Sequence, residues 1–252
     1  MRYLLFFLFL PTLINAQAEE DKEYHSLSRA KRHPKDIFKM NLYGQGLYKQ
    51  HLRPIGKLYQ LKYINLTSNY LTGLPKSILR CKVLESLFLT KNKFKKLPAF
   101  IGKLTSLTSL NLAFNQLFEL PESIGNLNRL RSLYLAVNQF HHYPEAVNNL
   151  ENLEDLSLAK NGLTQVSEGI DQLQNLKILK LGSNLLDTLP NNLSNLKQLK
   201  QLYLENNRLK ILPNSFEKMQ QLSLLNLAGN PIPKGMRAEY QAMLPNCRIL
   251  WE

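Results

Sequence analysis

The 252-residue sequence contains only two cysteines, Cys81 and Cys247, and they lie far apart in the chain. Small extracellular domains that cannot build a large hydrophobic core depend on several closely spaced disulfides. So few cysteines exclude that type of scaffold. We therefore expect both side chains to fill space in an apolar core rather than to react.

The sequence also lacks the short motifs that accompany catalysis and phosphate binding. It has no glycine-rich phosphate loop, no G-x-S-x-G sequence and no nucleophile–histidine set in a supporting context. His141 and His142 are adjacent, but no cysteine or carboxylate follows them at the spacing of metal ligands. These absences predict a protein that is not an enzyme and holds neither a cofactor nor a metal.

Long apolar runs are missing except at the start of the chain. Residues 3–14 are apolar apart from Pro11 and Thr12, and the small-residue sequence A-Q-A follows at 16–18. This order is typical of a cleavable secretory signal peptide over residues 1–18, because the run is too short to span a bilayer. We expect a secreted, periplasmic or cell-envelope protein without a transmembrane segment. An uncleaved anchor is the alternative.

A column of asparagines recurs every 23 residues through most of the remaining sequence. Each of them closes an L-x-x-L-x-L-x-x-N-x-L frame, as in the segment 107–117. A fixed period of this length indicates a solenoid, in which each repeat buries its apolar face against its neighbours. The column consists of Asn69, Asn92, Asn115, Asn138, Asn161, Asn184, Asn207 and Asn230.

The frame predicts the structure of one repeat. The last two leucines of L-x-x-L-x-L lie two residues apart, so they point to one face of a short strand. Stacked copies form a parallel sheet on the concave side, with the leucines in the core. Because asparagine offers both donors and an acceptor, the column is expected to pair buried backbone groups of adjacent repeats. The L-P-x-x-I-G-x-L segments, clearest at 97–104, predict short helical or 3-10 turns on the convex side.

These motifs resemble leucine-rich repeat proteins of the 23-residue class, which includes Ras-group and many bacterial members. The L-P-N-C sequence at 244–247 followed by a basic residue resembles the caps of bacterial members. The resemblance covers residues 37–252. It implies an α/β leucine-rich repeat solenoid, with a concave parallel sheet of about nine strands that binds other proteins. The cysteine-rich caps usual in eukaryotic secreted members are absent, which favours a bacterial exported protein.

The frame also divides the chain. Residues 19–36 are a polar lead-in that we expect to be loosely ordered. A degenerate cap repeat occupies 37–60, eight regular repeats occupy 61–232, and a C-terminal cap occupies 233–252. Two adjacent convex segments depart from the pattern, because Tyr143 replaces leucine and Ser167 replaces proline. A local change of curvature and neutral drift both remain open.

The concave face is predicted to carry large apolar side chains at positions where solvent normally favours polar ones. Aromatic residues are enriched at interface hot spots, which makes this face the expected partner-binding surface. The alternative is that aromatic residues suit strand surfaces and pack on their neighbours. The candidate binding residues are Tyr63, Phe88, Asn111, Tyr134, Lys180 and Tyr203.

Acidic residues are scarce in the first half of the chain, and the formal net charge is +13. Residues 19–110 contain 18 Lys and Arg against 6 Asp and Glu, whereas residues 111–252 contain 13 of each. A basic patch of this kind attracts anionic lipid, polysaccharide or an acidic protein, although a solvated face without a partner is equally consistent. Nucleic acid fits the charge but neither export nor any motif, so none is expected. The patch is centred on Lys91, Lys93, Lys95 and Lys96.

The sequence therefore supports one main hypothesis and two alternatives. The main hypothesis is an exported, monomeric binding module that recognises a protein ligand through its concave sheet. The second is a protein held on anionic lipid or polysaccharide by its basic half, which would be sensitive to salt. The third is an intracellular scaffold like the Ras-group proteins, against which the export signal argues.

Overall fold

The computed structural model describes residues 22–30 and 34–252, so the predicted signal peptide at 1–18 lies outside the described residues. Within these residues, eleven strands form one parallel sheet in which spatial order follows chain order. The strands are β1 (Glu23–Tyr24), β2 (Lys39–Asn41), β3 (Tyr63–Asn65), β4 (Ser86–Phe88), β5 (Ser109–Asn111), β6 (Ser132–Tyr134), β7 (Asp155–Ser157), β8 (Ile178–Lys180), β9 (Gln201–Tyr203), β10 (Leu224–Asn226) and β11 (Arg248–Leu250).

The register of the sheet repeats from strand to strand. Leu110 of β5 pairs with Leu87 on one side and Leu133 on the other, so equivalent positions of successive repeats lie side by side. In β2 to β10 the middle residue is buried and the residue before it stays partly exposed. This follows from the period-two alternation of a strand. The predicted solenoid with a parallel concave sheet is confirmed.

Short 3-10 helices form the convex side. Proline precedes six of the helices between residues 76 and 218 and fixes the backbone at their start. The one at 168–172 begins instead after Ser167, whose hydroxyl accepts a hydrogen bond from Gly169 N at 3.0 Å. The 3-10 helices are Pro34–Asp36, Lys49–Lys57, Lys76–Arg80, Ala99–Lys103, Glu122–Asn126, Glu145–Asn149, Glu168–Gln172, Asn191–Asn195, Asn214–Lys218 and Lys234–Met236.

A single apolar core runs between the sheet and the convex helices. It consists mainly of leucines, with Phe94, Phe140 and Phe216 fully buried among them. Cys81 and Cys247 belong to this core as free thiols. Burial raises the pKa of the Cys81 thiol to about 12 and that of Cys247 to about 11.

The asparagine column connects adjacent repeats. Asn115 Nδ2 donates to Leu89 O of the preceding repeat and to Leu112 O of its own, both at 3.0 Å. Its Oδ1 accepts from Phe94 N at 3.1 Å. Each side chain therefore satisfies backbone groups that the turn would otherwise leave unpaired in the interior. The other seven members make the same type of contacts.

The N-terminal segment differs from the expectation of a loosely ordered lead-in. Glu23 and Tyr24 pair with Lys39 and Met40, which adds β1 to the sheet. Helix α1 (Leu27–Ala30) follows and buries Ala30 in the core. Gln45 takes the asparagine position of the first repeat, and its Nε2 donates to His25 O at 2.7 Å. The segment thus covers the open end of the solenoid, and the strand count rises above the nine expected.

At the other end, helix α2 (Arg237–Met243) and strand β11 close the core. The Tyr240 hydroxyl accepts a hydrogen bond from Leu212 N at 2.9 Å, and the Tyr240 ring stacks on Trp251 at 6.4 Å. Ile249 and Trp251 pack against the core. None of the helices among the described residues is long and apolar enough to cross a membrane.

Candidate functional site

The candidate binding residues occupy two rows of the concave face. Phe88, Asn111, Tyr134, Lys180 and Tyr203 share the third position of their strands, so the parallel register places them in one row. Tyr63 lies in the other row, two positions earlier in its strand. Neighbouring strands are about 4.8 Å apart, so the five strand steps from Phe88 to Tyr203 span roughly 24 Å. The candidates form three groups along this face rather than one cluster.

The first group is the aromatic pair at the N-terminal end. The Tyr63 and Phe88 rings lie 5.3 Å apart at a tilt of 44°. Contacts of this kind fix both rings relative to the sheet. Partial burial raises the pKa of Tyr63, and the nearby charge of Glu23 in β1 adds to the effect. The terminal strand that the sequence pattern missed therefore borders this group.

The second group joins Tyr134 to Asp155 on the next strand. The Tyr134 hydroxyl donates to Asp155 Oδ2 at 2.9 Å. Burial raises the pKa of Tyr134, and the hydrogen bond and charge of Asp155 raise it further. Asp155 Oδ1 is buried and has no hydrogen-bond partner among the described residues. One carboxylate oxygen thus holds the tyrosine, while the other is enclosed by protein atoms.

The third group lies near the C-terminal end of the row. Lys180 Nζ stands 5.9 Å from the centre of the Tyr203 ring, and the Tyr203 hydroxyl donates to Gln201 Oε1 at 3.1 Å. The ring is therefore held from both sides. Two residues after Tyr203 lies Glu205, whose carboxylate occupies the space that a Cβ on Gly182 would need. Glu205 Oε2 is buried and has no partner within the described part of the chain.

Glu205 was not among the candidates, although the sequence contained a signal for it. Other repeats have a small or neutral residue at this position, such as Ala136 and Ala159, and Gly182 precedes it in the column. An acid at this position, with glycine at the equivalent position of the preceding repeat, is therefore a departure from the repeat pattern that is visible in the sequence. Asn111, by contrast, has a local role, because its Oδ1 accepts from Ala113 N at 3.1 Å. Asn65 and Asn226 make the same turn contact.

The basic residues lie on a different surface. They belong to the turns around the asparagine column, at the lateral edge of the sheet. The adjacent turns carry the exposed aromatic rings of Tyr70, Phe114 and Phe118, and Lys93, Lys91 and Lys96 lie over them. We define the basic edge as Tyr70, Lys91, Lys93, Lys95, Lys96, Phe114 and Phe118.

Comparison with family models identifies the repeats. The model described as leucine-rich repeat region matches residues 37–159 and 87–188, and a second one, leucine rich repeat, matches residues 174–232. The chain belongs to the leucine-rich repeat family. The family assignment expected from the asparagine frame is thereby confirmed. No match was found among curated proteins.

Solved structures with a similar fold include large ectodomains. TLR13 in its complex with ssRNA13 is 25% identical with a TM-score of 0.78, and the match covers 92% of this chain and 34% of that one. The ectodomain of GASSHO1/SCHENGEN3 from Arabidopsis thaliana, in complex with CASPARIAN STRIP INTEGRITY FACTOR 2, is 27% identical with a TM-score of 0.61. That match covers 92% of this chain and 32% of the ectodomain. This leucine-rich repeat chain therefore spans about a third of their length.

A leucine-rich repeat protein of Leptospira interrogans is 22% identical, with a TM-score of 0.49 and coverage of 91% of this chain and 99% of that one.

In the part of the chain that the structure describes, no three histidine, cysteine or acidic side chains group as metal ligands.

Proposed function

We propose that this leucine-rich repeat chain is an exported, non-enzymatic and monomeric binding module that recognises a protein or peptide through its concave face. The observation that carries the proposal is the set of half-buried aromatic rings on this face. Tyr63 and Phe88 contact each other, Tyr134 is held by Asp155, and Tyr203 is held by Gln201. Aromatic anchors of this kind supply much of the binding energy at interfaces.

The rigidity of the sheet supports this function. Every strand from β2 to β10 pairs with a neighbour on both sides, so the rings stand on a backbone that does not need to order on binding. The hydrogen bonds and ring contacts also restrict the side chains. Affinity increases when the free surface already has the bound conformation, because less conformational entropy is lost.

The polar groups of the face indicate the chemistry of the ligand. Asp155 binds the Tyr134 hydroxyl, and Glu205 lies two residues after Tyr203, so two carboxylates stand close to the aromatic rings. Hydrogen bonds to an ionised carboxylate are among the stronger ones. We therefore expect a ligand that combines apolar side chains with a cationic or amide donor. The same carboxylates repel phosphate, which argues against nucleic acid on this face.

The similar ectodomains support a peptide ligand. The Arabidopsis ectodomain was solved in complex with CASPARIAN STRIP INTEGRITY FACTOR 2, and another similar structure is the plant peptide hormone receptor RGFR1 in complex with RGF2. TLR13 was solved with RNA, so the fold alone does not select the ligand. The aromatic rings of the concave face favour a protein or peptide here.

A peptide-display selection against the immobilised chain, followed by affinity measurements at low and high salt, tests the proposal. The triple variant Phe88→Ser/Tyr134→Ser/Tyr203→Ser should bind the selected peptides at least about a hundredfold more weakly, because it removes three anchors. Tyr59→Ser is the matched control, since Tyr59 is an exposed tyrosine outside the strands. It should leave the affinity unchanged.

Salt separates this function from binding through the basic half. Binding centred on aromatic rings should persist at high salt, whereas charge-driven binding weakens steeply. Peptides that bind the triple variant as tightly as the unmodified chain, and that dissociate at high salt, would contradict the concave site.

The export part of the proposal has its own test. We expect the chain recovered after secretion to begin at Glu19, because A-Q-A at 16–18 is a typical cleavage sequence. Mass spectrometry of the secreted chain measures its N-terminus directly. Recovery of the intact chain in the cytosol would favour the intracellular scaffold instead.

A further inference from the structure

We propose that the basic edge is a docking surface for an anionic lipid bilayer, separate from the concave face. The proposal goes beyond peptide recognition, because it assigns a second partner to the lateral turns. It rests on three observations: exposed phenylalanines, lysines in register with the rings, and an edge that is fixed to the neighbouring repeats.

Lysine–aromatic pairs from adjacent repeats build the edge. Lys93 follows Tyr70 by one repeat, and its Nζ lies 4.8 Å from the centre of the Tyr70 ring. Lys91 precedes Phe114 by one repeat, at a distance of 5.7 Å between Nζ and ring centre. Lys96, one residue beyond the position equivalent to Phe118, has its Nζ 4.9 Å from the Phe118 ring. The lysines of one turn therefore contact one aromatic ring of the preceding turn and two of the following turn.

The phenylalanines are not explained by packing. Phe114 is 48% exposed and Phe118 is 42% exposed, although neither ring has a polar atom that would favour water. The φ of 56° at Phe114 is imposed by the turn, because the equivalent residue of every repeat from Ser68 to Gly229 also has a positive φ. What distinguishes Phe114 from these residues is therefore its large exposed apolar ring.

The backbone of the edge is rigid. Lys91 N donates to Ala113 O at 3.0 Å, and Phe114 N donates to Ala136 O at 2.9 Å. Each turn is thus fixed to the next repeat. The rings and lysines are presented on a preformed surface, so contact with a second surface requires little ordering.

The charge of the edge selects an anionic partner. Lys91, Lys93, Lys95 and Lys96 are all exposed, and Glu119 is the acid that faces them, at 2.6 Å from Lys96 Nζ. His141 and His142 occupy the positions equivalent to Phe118 and Glu119 in the next repeat. Glu119 neutralises one of the four lysine charges, so the turn at 91–96 and the turn that follows it keep a net positive charge. Lysine clusters next to apolar side chains are typical of proteins that bind acidic headgroups.

A bilayer fits the edge better than an acidic polysaccharide or protein. Phenylalanine rings gain most when they enter the boundary between headgroups and acyl chains, while adjacent lysines remain at the level of the phosphates. A polysaccharide would use the charges, but it would gain little from two exposed rings that lack hydrogen-bonding atoms. The combination of both features favours lipid.

Vesicle co-sedimentation of the secreted chain, which begins at Glu19, tests the proposal. Vesicles of phosphatidylcholine with about one-third phosphatidylglycerol should bind at least tenfold more tightly than pure phosphatidylcholine vesicles. Replacing Lys91, Lys93, Lys95 and Lys96 by glutamine should lower binding to the anionic vesicles by about tenfold or more. Phe114→Ser/Phe118→Ser should lower it by about tenfold at low and at high salt.

The C-terminal half of the chain supplies matched controls. Leu185 and Ile211 are exposed side chains in later turns, 37% and 58% exposed, and Leu185→Ser/Ile211→Ser should leave vesicle binding unchanged. Lys160→Gln/Lys210→Gln controls for the loss of charge, since both lysines are exposed in later turns. Every variant begins at Glu19, so the apolar run at 3–14 does not contribute to vesicle binding.

Insertion has a direct readout. A tryptophan in the Phe118→Trp variant should be quenched by brominated lipid in anionic vesicles, whereas the native Trp251 in the C-terminal cap should not. Equal vesicle binding by the phenylalanine variant and the unmodified chain would overturn the proposal. Binding to alginate without binding to anionic vesicles would also overturn it, because it would assign the edge to polysaccharide. The peptide affinity of the concave face should be unchanged in every edge variant, so the two proposals fail separately.

Discussion

The Tyr143 hydroxyl donates a hydrogen bond to Asn148 Oδ1 over 2.9 Å in the convex layer. Asn148 Nδ2 in turn donates to Ser167 Oγ at 3.1 Å and to Glu145 Oε2 at 3.0 Å. Burial raises the pKa of Tyr143, and the charge of Glu145 adds to the effect. The replacements of leucine by Tyr143 and of proline by Ser167 are therefore parts of one buried network.

Gly169 completes this network. In a regular pair of repeats, glycine stands at position 102, because a Cβ there would lie against Ser123 of the next repeat. The arrangement is reversed at the network, where Asn148 has a side chain and the facing residue is Gly169. A Cβ on Gly169 would lie 2.6 Å from Asn148 Nδ2. At each of these contacts one residue is glycine. In the regular pair it belongs to the earlier repeat, and at the network it belongs to the later repeat.

Tyr143→Phe should lower the free energy of unfolding by about 1–2 kcal/mol, because it leaves the buried Asn148 oxygen without its donor. Urea denaturation followed by circular dichroism measures the change. In a double-mutant cycle with Asn148→Gly, the second substitution should remove most of the cost of the first. Additive effects of the two substitutions would show that the hydrogen bond does not couple these residues.

Much of this structure could be predicted from periodicity, and the remainder could not for identifiable reasons. The leucine and asparagine frame predicted β2 to β10 and the concave rows, because each feature repeats. Strand β1 consists only of Glu23 and Tyr24 and has no repeat of its own. The Asn148–Ser167 contact joins residues that do not occupy equivalent positions in their repeats. The replacements at Tyr143 and Ser167 therefore looked independent in the sequence. Pairs such as Lys91 and Phe114 were detectable in principle, since they lie one repeat apart.

The cost of losing a ladder asparagine should depend on its burial. Asn138→Ala should lower the free energy of unfolding by about 1–3 kcal/mol, because Leu112 O and Leu117 N lose their partner. Asn184→Ala should cost more, since Asn184 is buried and Asn138 is partly exposed. Gln139→Ala, at an exposed neighbour, is the control for denaturation experiments. Equal stability of Asn138→Ala and the control would refute the assigned role.

Val137 occupies a backbone conformation that a β-branched residue rarely adopts, with a φ of 56°. Val137→Asn should stabilise the protein by about 1 kcal/mol, because asparagine tolerates the left-handed region. Ser183→Val, at the equivalent position with a φ of 57°, should destabilise it by a similar amount. Thermal melts of both variants provide the measurement. A lower melting temperature for Val137→Asn would mean that valine contributes more by packing than it loses by strain.

Glu154 should make stability depend on acidity. Lys177 Nζ donates to Glu154 Oε2 at 2.7 Å, and Arg131 contacts the other oxygen. These hydrogen bonds, with that from Lys177 the stronger influence, hold the pKa of Glu154 below its usual value. A lowered folded pKa gives stability above the unfolded pKa of about 4.3 that is lost as pH falls through the folded pKa. Glu154→Gln should therefore be less stable than the unmodified chain at pH 7 but not at the acidic end of the titration, and salt should reduce the difference. Glu151→Gln, at an exposed acid of the same repeat, is the control for the loss of one negative charge.

The two thiols should be almost unreactive until the solenoid unfolds. Cys81 Sγ donates weakly to Ile55 O at 3.4 Å in the core, and burial raises the pKa values of Cys81 and Cys247 to about 12 and about 11. At pH 8 the thiolate fractions are then roughly 10⁻⁴ and 10⁻³, against about one quarter for an unfolded thiol. A disulfide reagent should label both thiols slowly in buffer, and Cys247 should react before Cys81. In urea both thiols should react rapidly. Labelling in buffer at the denatured rate would contradict their burial. No labelling in urea without a reductant would mean that the cysteines are oxidised.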